Sequence, residues 1–443
     1  MKMKTTKLVT AILTIMTVIL LANISVNLLF TSKATCNCES SQSNGSQGLA
    51  EQYEHGIMRP DLETLKRFLE LYNRALKVHI DPEIEAQLEN SPGQYFSLLD
   101  HLDYVPEERD QGSCGNCWVW AGTGVMEVAL DVQRDIFDRL SIQFFSSCWN
   151  GGTSSNWDCC GGWLGGLADW YQTVGFAIPW SNTNAYWQDG NRQCSQKTNV
   201  PCNMISTLPR YKITACSDEV IPTFQISQQT AILNIKNILH QNRAVWFGFF
   251  MGTSMDWNRF FSFWSNEPET AIWDPDYSCG HIWDSNSGGG HAVLCVGYND
   301  TDPDNSYWIM VNSWGVVANT RPNGIFLVDM YMNNNCTIIK AGQSFYWATL
   351  NINFSSMQTY DLTVHAEKSV DGAPIEGVEV SIYSDGFFVD KKFTDQNGNC
   401  VFQVEAGTYT IVAKKHIFWI LYLTKSQTVE VIEDTTVVFK FRS

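Results

Sequence analysis

The chain has 443 residues, 44% hydrophobic and 13% aromatic, which is enough apolar material for two or three cored domains and excludes general disorder. Its 46 acidic against 29 basic residues give a net charge of −17 without any Lys/Arg stripe, so nucleic-acid binding is set aside. Fourteen cysteines are present, and their meaning depends on the compartment.

Leu8 to Phe30 is a mostly apolar stretch preceded by Lys2, Lys4 and Lys7, the charge arrangement of an export signal. As a helix it would reach about 34 Å, enough to cross a bilayer. Asn23 and Asn27 weaken it, and Ser32-Lys33-Ala34 offers a small-x-small cleavage site, so residues 1–35 read either as a signal peptide or as a membrane anchor. Lipidation at Cys36 is disfavoured by Lys33, where that motif needs an apolar residue. Both readings place the protein outside the cytoplasm, secreted or at the cell surface. There the cysteines read as disulfides plus one working thiol. Zinc is the weaker alternative, because Cys114 and Cys117 are followed by no matching Cys or His pair.

Residues 36–93 are expected to be linker and short pro-segment. Ser40 to Gly48 has no packing residues. After Pro60, Asp61 can cap a helix carrying Leu62, Leu65, Phe68, Leu69, Tyr72 and Leu76 at helical spacing. Glu51 to Gly93 is too short for a domain, which leaves a pro-segment lying on the body or a helix simply docked to the core.

The octet QGSCGNCW, Gln111 to Trp118, is the most informative stretch. A Gly-rich turn ends at Cys117, and the apolar run from Trp118 to Ala129 reads as a buried helix whose N-terminal dipole end would stabilise a thiolate. A nucleophilic cysteine needs a base and something to orient that base. His55, His79, His101, His240, His281, His365 and His416 have no distinctive neighbourhood. His291 differs, since Gly288, Gly289 and Gly290 deliver it to the apolar strand AVLCVGY, and a polar loop then leads to the strand SYWIMVN. An antiparallel hairpin centred near Pro303 brings His291 within one position of Asn312. In the resulting Cys/His/Asn set the imidazole accepts the thiol proton and the amide orients the ring.

With QGSCGNCW, LSIQFFSSC (Leu140 to Cys148), CCGG (Cys159 to Gly162), GGHAVLCVGY and NSWG (Asn312 to Gly315) in that order, the chain resembles the papain-like cysteine peptidases. The resemblance covers roughly Tyr95 to Phe354. It implies an α+β, papain-like two-subdomain fold over residues 94–356, with a cleft between a helical half and a β-barrel-like half. It further implies Cys117 as nucleophile, His291 as general base and acid, Asn312 as orienter and Gln111 as an oxyanion-hole donor beside the Cys117 N–H. Trp314 would shield the His/Asn bond, and Gly161 and Gly162 would let substrate backbone lie in the cleft with Trp163 on a subsite wall. For the two glycines a purely structural turn role stands as the alternative. The same resemblance pairs Cys114 with Cys159, Cys148 with Cys194 and Cys279 with Cys336. Two departures are plain: Asn116 stands where Ser or Ala is usual, and the long spacing to His291 implies an insertion. No cofactor or metal is called for. The substrates implied are polypeptides.

The extra length falls between Phe250 and Gly290, with Trp257, Trp264, Trp273 and Trp283, and reads either as a roof over the substrate groove or as a packed excursion. Cys114-Gly-Asn-Cys117 is formally a redox motif, but Trp118 follows the second cysteine rather than preceding the first. From residue 357 to 443, period-2 segments (Asp361 to His365, Val378 to Tyr383, Cys400 to Val404, Thr408 to Ala413, Gln427 to Val431, Thr436 to Phe441) alternate with Asp-Gly and Asn-Gly turns, which predicts an all-β sandwich. GAPIEGVEVSIYSDG and TDQNGNCVFQVEAGTYTI resemble the prealbumin-like or carboxypeptidase-regulatory-like domains, and a surface or a protein is the expected partner. Three functions stand: an exported cysteine endopeptidase made as a precursor, an inactive papain-like binding or adhesion protein, and an acyl-transfer ligase using the same residues.

Overall fold

Asp61 starts the first helix: its carboxylate accepts the Thr64 N–H at 2.7 Å, and α1 (Leu62–Arg74) follows with Leu65, Phe68 and Tyr72 buried on one face. The computed structural model describes residues 55–442 apart from 92, 154–156, 356–358, 385 and 419–420. By its own contacts the chain divides into two units, Met1–Gln52 and Tyr53–Ser443. The expected signal or anchor and the Ser40 to Gly48 linker therefore lie outside the described residues. Among those described, no helix is long and apolar enough to cross a membrane.

After α1, Leu76–Lys77 joins the edge of the main sheet, and α2 (Pro82–Asn90) is capped by the Asp81 carboxylate with Pro82 at its first position. α2 packs on α6 (Gln228–His240). Ile57, Met58, Leu65, Phe68, Tyr72 and Val78 enter the same hydrophobic core as the middle region.

That middle region has a helical half, α3 (Cys117–Arg134), α4 (Ile142–Cys148) and α5 (Leu164–Val174), and a sheet half. The sheet uses β1 (Tyr95–Ser97), β2 (Tyr211–Val220), β3 (Val245–Met251), β4 (Gly289–Asn299), β5 (Tyr307–Val311), β6 (Ile325–Asp329) and β7 (Phe345–Phe354). Along it the order is β2-β7-β3-β4-β5-β6, with β1 on β4 and short strands completing ten. α3 is buried around most of its circumference because it lies between β4 and β7 on one side and α5 on the other. The fold is α+β, with the cleft where the start of α3 meets β4.

β4 and β5 form the hairpin, two residues from the expected register beside the turn and one residue from it on the His291 side. Leu294 pairs with Val311 and Cys295 with Met310, and a bulge then shifts the ladder so that Gly297 pairs with Ile309. β1 runs so close to this bulge that a Cβ on Gly297 would lie 2.1 Å from Phe96 O.

The C-terminal strands are β8 (Thr359–Lys368), β9 (Glu379–Ser384), β10 (Phe387–Phe393), β11 (Asn399–Glu405), β12 (Gly407–Phe418), β13 (Leu421–Val431) and β14 (Thr435–Phe441). They form two sheets, β11-β8-β14 and β10-β9-β12-β13, around a core dominated by Val, Ile and Phe. The six expected strands are present. β10 is additional, its alternation hidden by Asp390-Lys391-Lys392.

Candidate active site

Cys117 is the first residue of α3 and fully buried. The turn before it is held by the Cys114–Cys159 disulfide and by Gly115 N–H donating to Cys159 O at 3.2 Å. His291 lies in β4, between Phe249 of β3 and the Trp314 indole, whose ring centroid is 4.4 Å from the imidazole. The imidazole Nε2–H donates to Asn312 Oδ1 at 2.7 Å, which leaves Nδ1 as the bare nitrogen that can accept a proton. The backbone N–H of Ala292, next to His291, faces the Cys117 sulfur. Cys117, His291, Asn312 and Trp314 are thus brought together, although Cys117 and Asn312 stand 195 positions apart in the sequence.

Gln111 is buried in the same place. Its Nε2 donates to Cys114 O at 2.5 Å and to Gly56 O at 2.8 Å, while Oε1 accepts from Ser313 Oγ at 2.6 Å. The Gly56 contact reveals what the sequence did not: His55 to Met58 runs through the cleft. Met58 pairs with Gly290 in both directions, at 2.9 and 3.0 Å, Gly56 N–H donates to Gly112 O at 2.8 Å, and the His55 ring stacks on Trp314 at 5.0 Å. Under this cover burial pushes the Cys117 thiol up to about 12, against backbone N–H groups that pull the other way. Burial likewise drives His291 down to about 3, opposed by Asn312 and aided by the nearby His55. Burial thus disfavours the charged form of both groups.

Gly161 has φ +94° and faces the Met58 side chain, whereas a Cβ on Gly162 would lie 2.3 Å from the Trp118 ring. Gly161 therefore borders the cleft, and Gly162 is a glycine because of packing. Trp163 is not an open wall in this form. It is 3% exposed, in contact with Trp246 and Tyr346, and covered by Phe68 and Tyr72 of α1.

The disulfides need one correction. Cys114–Cys159 and Cys279–Cys336 are formed, but Cys148 is bonded to Cys202 and not to Cys194, which is bonded to Cys160. In the tight turn Asp158–Cys160 the adjacent sulfurs point apart, so Cys160 captures Cys194, and Cys148 at the end of α4 meets the Cys202 turn instead. The expectation of a single free thiol is also corrected. Cys216, Cys295 and Cys400 are free and buried along with Cys117. They behave as small apolar side chains. Among the described residues one cluster has metal-ligand spacing, Cys114, Asp158 and Cys159, and its two sulfurs are bonded to each other.

A family model for "Papain family cysteine protease" matches residues 98–234 and 272–345. The body of the chain belongs to the papain family. Among similar proteins, "Probable cysteine protease RDL3" of Arabidopsis thaliana is 22% identical over 227 residues, 49% of this chain and 50% of that protein. "Cathepsin B-like CP3" of Giardia intestinalis is 26% identical over 252 residues, 56% and 72% of the two chains. The match thus spans about half the length of RDL3. A recombinant stem bromelain precursor aligns at 17% identity over 69% of this chain and 86% of its own, with a TM-score of 0.41, too low to carry weight.

Two features of this papain-family body were open or unexplained. The stretch 235–271 that the family model skips contains α7 (Ser254–Asn266), started by a Thr253/Asp256 capping box. Its inner face sets Phe260, Phe261 and Trp264 against Trp314 at 5.4–5.7 Å, and Trp257, Trp273 and Trp283 are buried too. The α7 part of the extra length is packed behind the imidazole, while the Ser287 carbonyl near its end accepts from Arg59 Nη1 at 2.6 Å beside the segment in the cleft. Asn116 finds its reason in Asp158, a fully buried acid. Asn116 Nδ2 donates to one Asp158 oxygen and Ser146 Oγ to the other, both at 2.9 Å, which ties the turn before Cys117 to the turn before Gly161. Burial first, then the neighbouring Asp189, raise the Asp158 carboxyl to about 7 against these two donors.

Proposed function

We propose that this chain is an exported cysteine endopeptidase made as a latent precursor, acting on polypeptides. The observation that carries the reading is the His291–Asn312 bond of 2.7 Å beside a cysteine at a helix N-terminus, with the chain's own strand lying across them. With the cleft open, His291 Nδ1 takes the Cys117 thiol proton and the sulfur attacks the substrate carbonyl carbon. The oxyanion accepts from Gln111 Nε2 and the Cys117 N–H. Collapse expels the amine, which leaves with the proton from His291, and water deprotonated by His291 then hydrolyses the thioester.

The cover also supports latency. His55 lies at Trp314 and Met58 at Gly161, so if Gly161 borders the acyl side, the segment runs opposite to a substrate. No bond of it is then offered to Cys117 in the productive sense. Glu89 and Asn90 at the end of α2 and Ser91 and Gly93 between it and β1 are exposed and are the natural place for processing, giving a mature body from about Gln94 and a sandwich from residue 357. Mass measurement of the exported protein with and without Cys117→Ala tests this. A new N-terminus between Glu89 and Tyr104, absent in the variant, is expected. The same processed mass in both proteins would remove the support for self-processing, and failure of the wild-type body to cleave any peptide in a library would overturn the peptidase reading.

A further inference from the structure

An indole carries one strong hydrogen-bond donor, and a buried Trp normally gives it an acceptor. Trp257, on the inner face of α7, does not. It is 2% exposed, its ring is fixed by Phe249, Phe260 and Phe261 at 5.9–6.2 Å, and its Nε1 finds no acceptor among the described residues. Trp264 and Trp283 of the same insertion share that state, so the missing acceptor alone decides nothing. The place of the Trp257 nitrogen does. A Cβ built on Gly289 would lie 3.3 Å from Trp257 Nε1, 2.9 Å from Ile57 Cδ1 and 2.8 Å from Met58 O. The indole N–H therefore reaches the cleft strand two residues before His291, at the spot where the covering segment puts an aliphatic side chain. Met58 O takes the Gly290 N–H at 3.0 Å and forms no bond with the indole. In the latent form the donor is faced by a methyl group, an arrangement that costs stability.

Once His55 to Arg59 leaves the cleft, the same N–H borders an empty subsite. The neighbours decide which oxygen suits it. Asp256 precedes Trp257 and Asp284 follows Trp283. The Asp256 carboxylate is already held by Thr253 at 2.8–3.0 Å and by His281 at 2.7 Å. Acidic surroundings disfavour a further carboxylate and leave the neutral carbonyl of a side-chain amide. Asn has the right reach: its Cβ–Cγ–Oδ1 chain is as long as the Cβ–Cγ1–Cδ1 chain of Ile, so its oxygen takes the place of the Ile57 methyl.

We propose that Trp257 Nε1 is a specificity donor that selects a substrate side chain with a neutral carbonyl oxygen, Asn foremost, in the subsite that Ile57 fills in the precursor. The proposal rests on the peptidase reading and narrows its substrate class. The donor lies in the stretch 235–271 that the family model skips, so the preference belongs to this chain's own insertion. A site that holds a buried donor ready discriminates against an isostere without an acceptor, because the donor is then left unpaired.

Two measurements test it. The first uses the unprocessed protein carrying Cys117→Ala, in which Ile57→Asn, Trp257→Phe and their combination form a double-mutant cycle in melting temperature. Ile57→Asn is expected to lower the melting temperature less when Trp257 is present than in the Trp257→Phe background. Equal losses in the two backgrounds overturn the proposal, whether or not the protein is a peptidase. The second uses the processed enzyme and peptide sets that carry either Asn or Leu at each position near the scissile bond. At one position kcat/KM should be about fivefold higher for Asn than for Leu, and that ratio should fall to about one in Trp257→Phe. No such preference, or one that survives Trp257→Phe, overturns the proposal. Cleavage of none of the peptides would overturn the peptidase reading and leave the cycle to decide the role of the indole N–H.

Discussion

The two hydrophobic cores treat polar atoms differently. Among the described residues of the body, seventeen buried side-chain polar atoms have no hydrogen-bond partner, and four of them, Asn116 Oδ1, His291 Nδ1, Asn312 Nδ2 and Trp314 Nε1, surround the start of α3 and the cleft. In the sandwich, among the described residues, Glu405 Oε1 alone is in that position. Its core is aliphatic and aromatic, from Leu362 and Val364 through Ile411 to Phe441. Unpaired buried groups cost stability. The body carries this cost at the site and elsewhere in its core, and the sandwich carries little of it.

That contrast can be broken by substitution on either side. Gln111→Ala in the processed enzyme removes one oxyanion donor and should lower kcat/KM by about 10²- to 10³-fold with only a small change in melting temperature. An equal loss of both would mean that Gln111 merely fills space. Ile411→Ala, in the sandwich core, should do the opposite. Urea unfolding is expected to show a loss of about 2–5 kcal/mol, with kcat/KM of the body unchanged. A smaller effect is expected at Asp158. Its carboxyl titrates near 7 in the fold, above the ordinary carboxyl value of about 3.9. The folded form therefore holds the proton more tightly, a stabilisation complete below about pH 4 and lost as pH rises to about 7. Asp158→Asn should remove that slope and narrow the difference in melting temperature between about pH 5 and pH 8 by a few degrees. An unchanged difference would show that Asp158 is not the titrating group.

What could be read without coordinates was local or strongly periodic. QGSCGNCW, the glycines before His291 and Asn312-Ser313-Trp314 each carry their chemistry within a few residues, and the sandwich strands announce themselves by alternation. The hairpin register was off by two at the turn because the polar loop does not mark where pairing begins, and the bulge at Val296, which has no composition signal of its own, then brings the pairing to within one residue of the expected one. The Cys148 partner was misread because the doublet Cys159-Cys160 offers two sulfurs, and only the direction of each side chain in the turn decides between them. His55 to Met58 has no periodicity at all, since an extended strand of four residues takes its place from Gly112 and Gly290, not from its own pattern. Its one sequence clue is Gly56, where a Cβ would lie 2.5 Å from Ser113 O.

That glycine supplies the most direct measurement. The claim at the centre of this account is a competent Cys117 closed off by the chain's own strand. The rate at which an epoxide thiol-peptidase inhibitor alkylates Cys117 is to be compared in the unprocessed protein and in its Gly56→Val variant, whose side chain has no room in the cleft. Slow labelling of the parent and labelling at least about tenfold faster in the variant are predicted, a gain that corresponds to ~1.4 kcal/mol of cover. Equal rates in the two proteins, or no labelling of Cys117 in either, would contradict it.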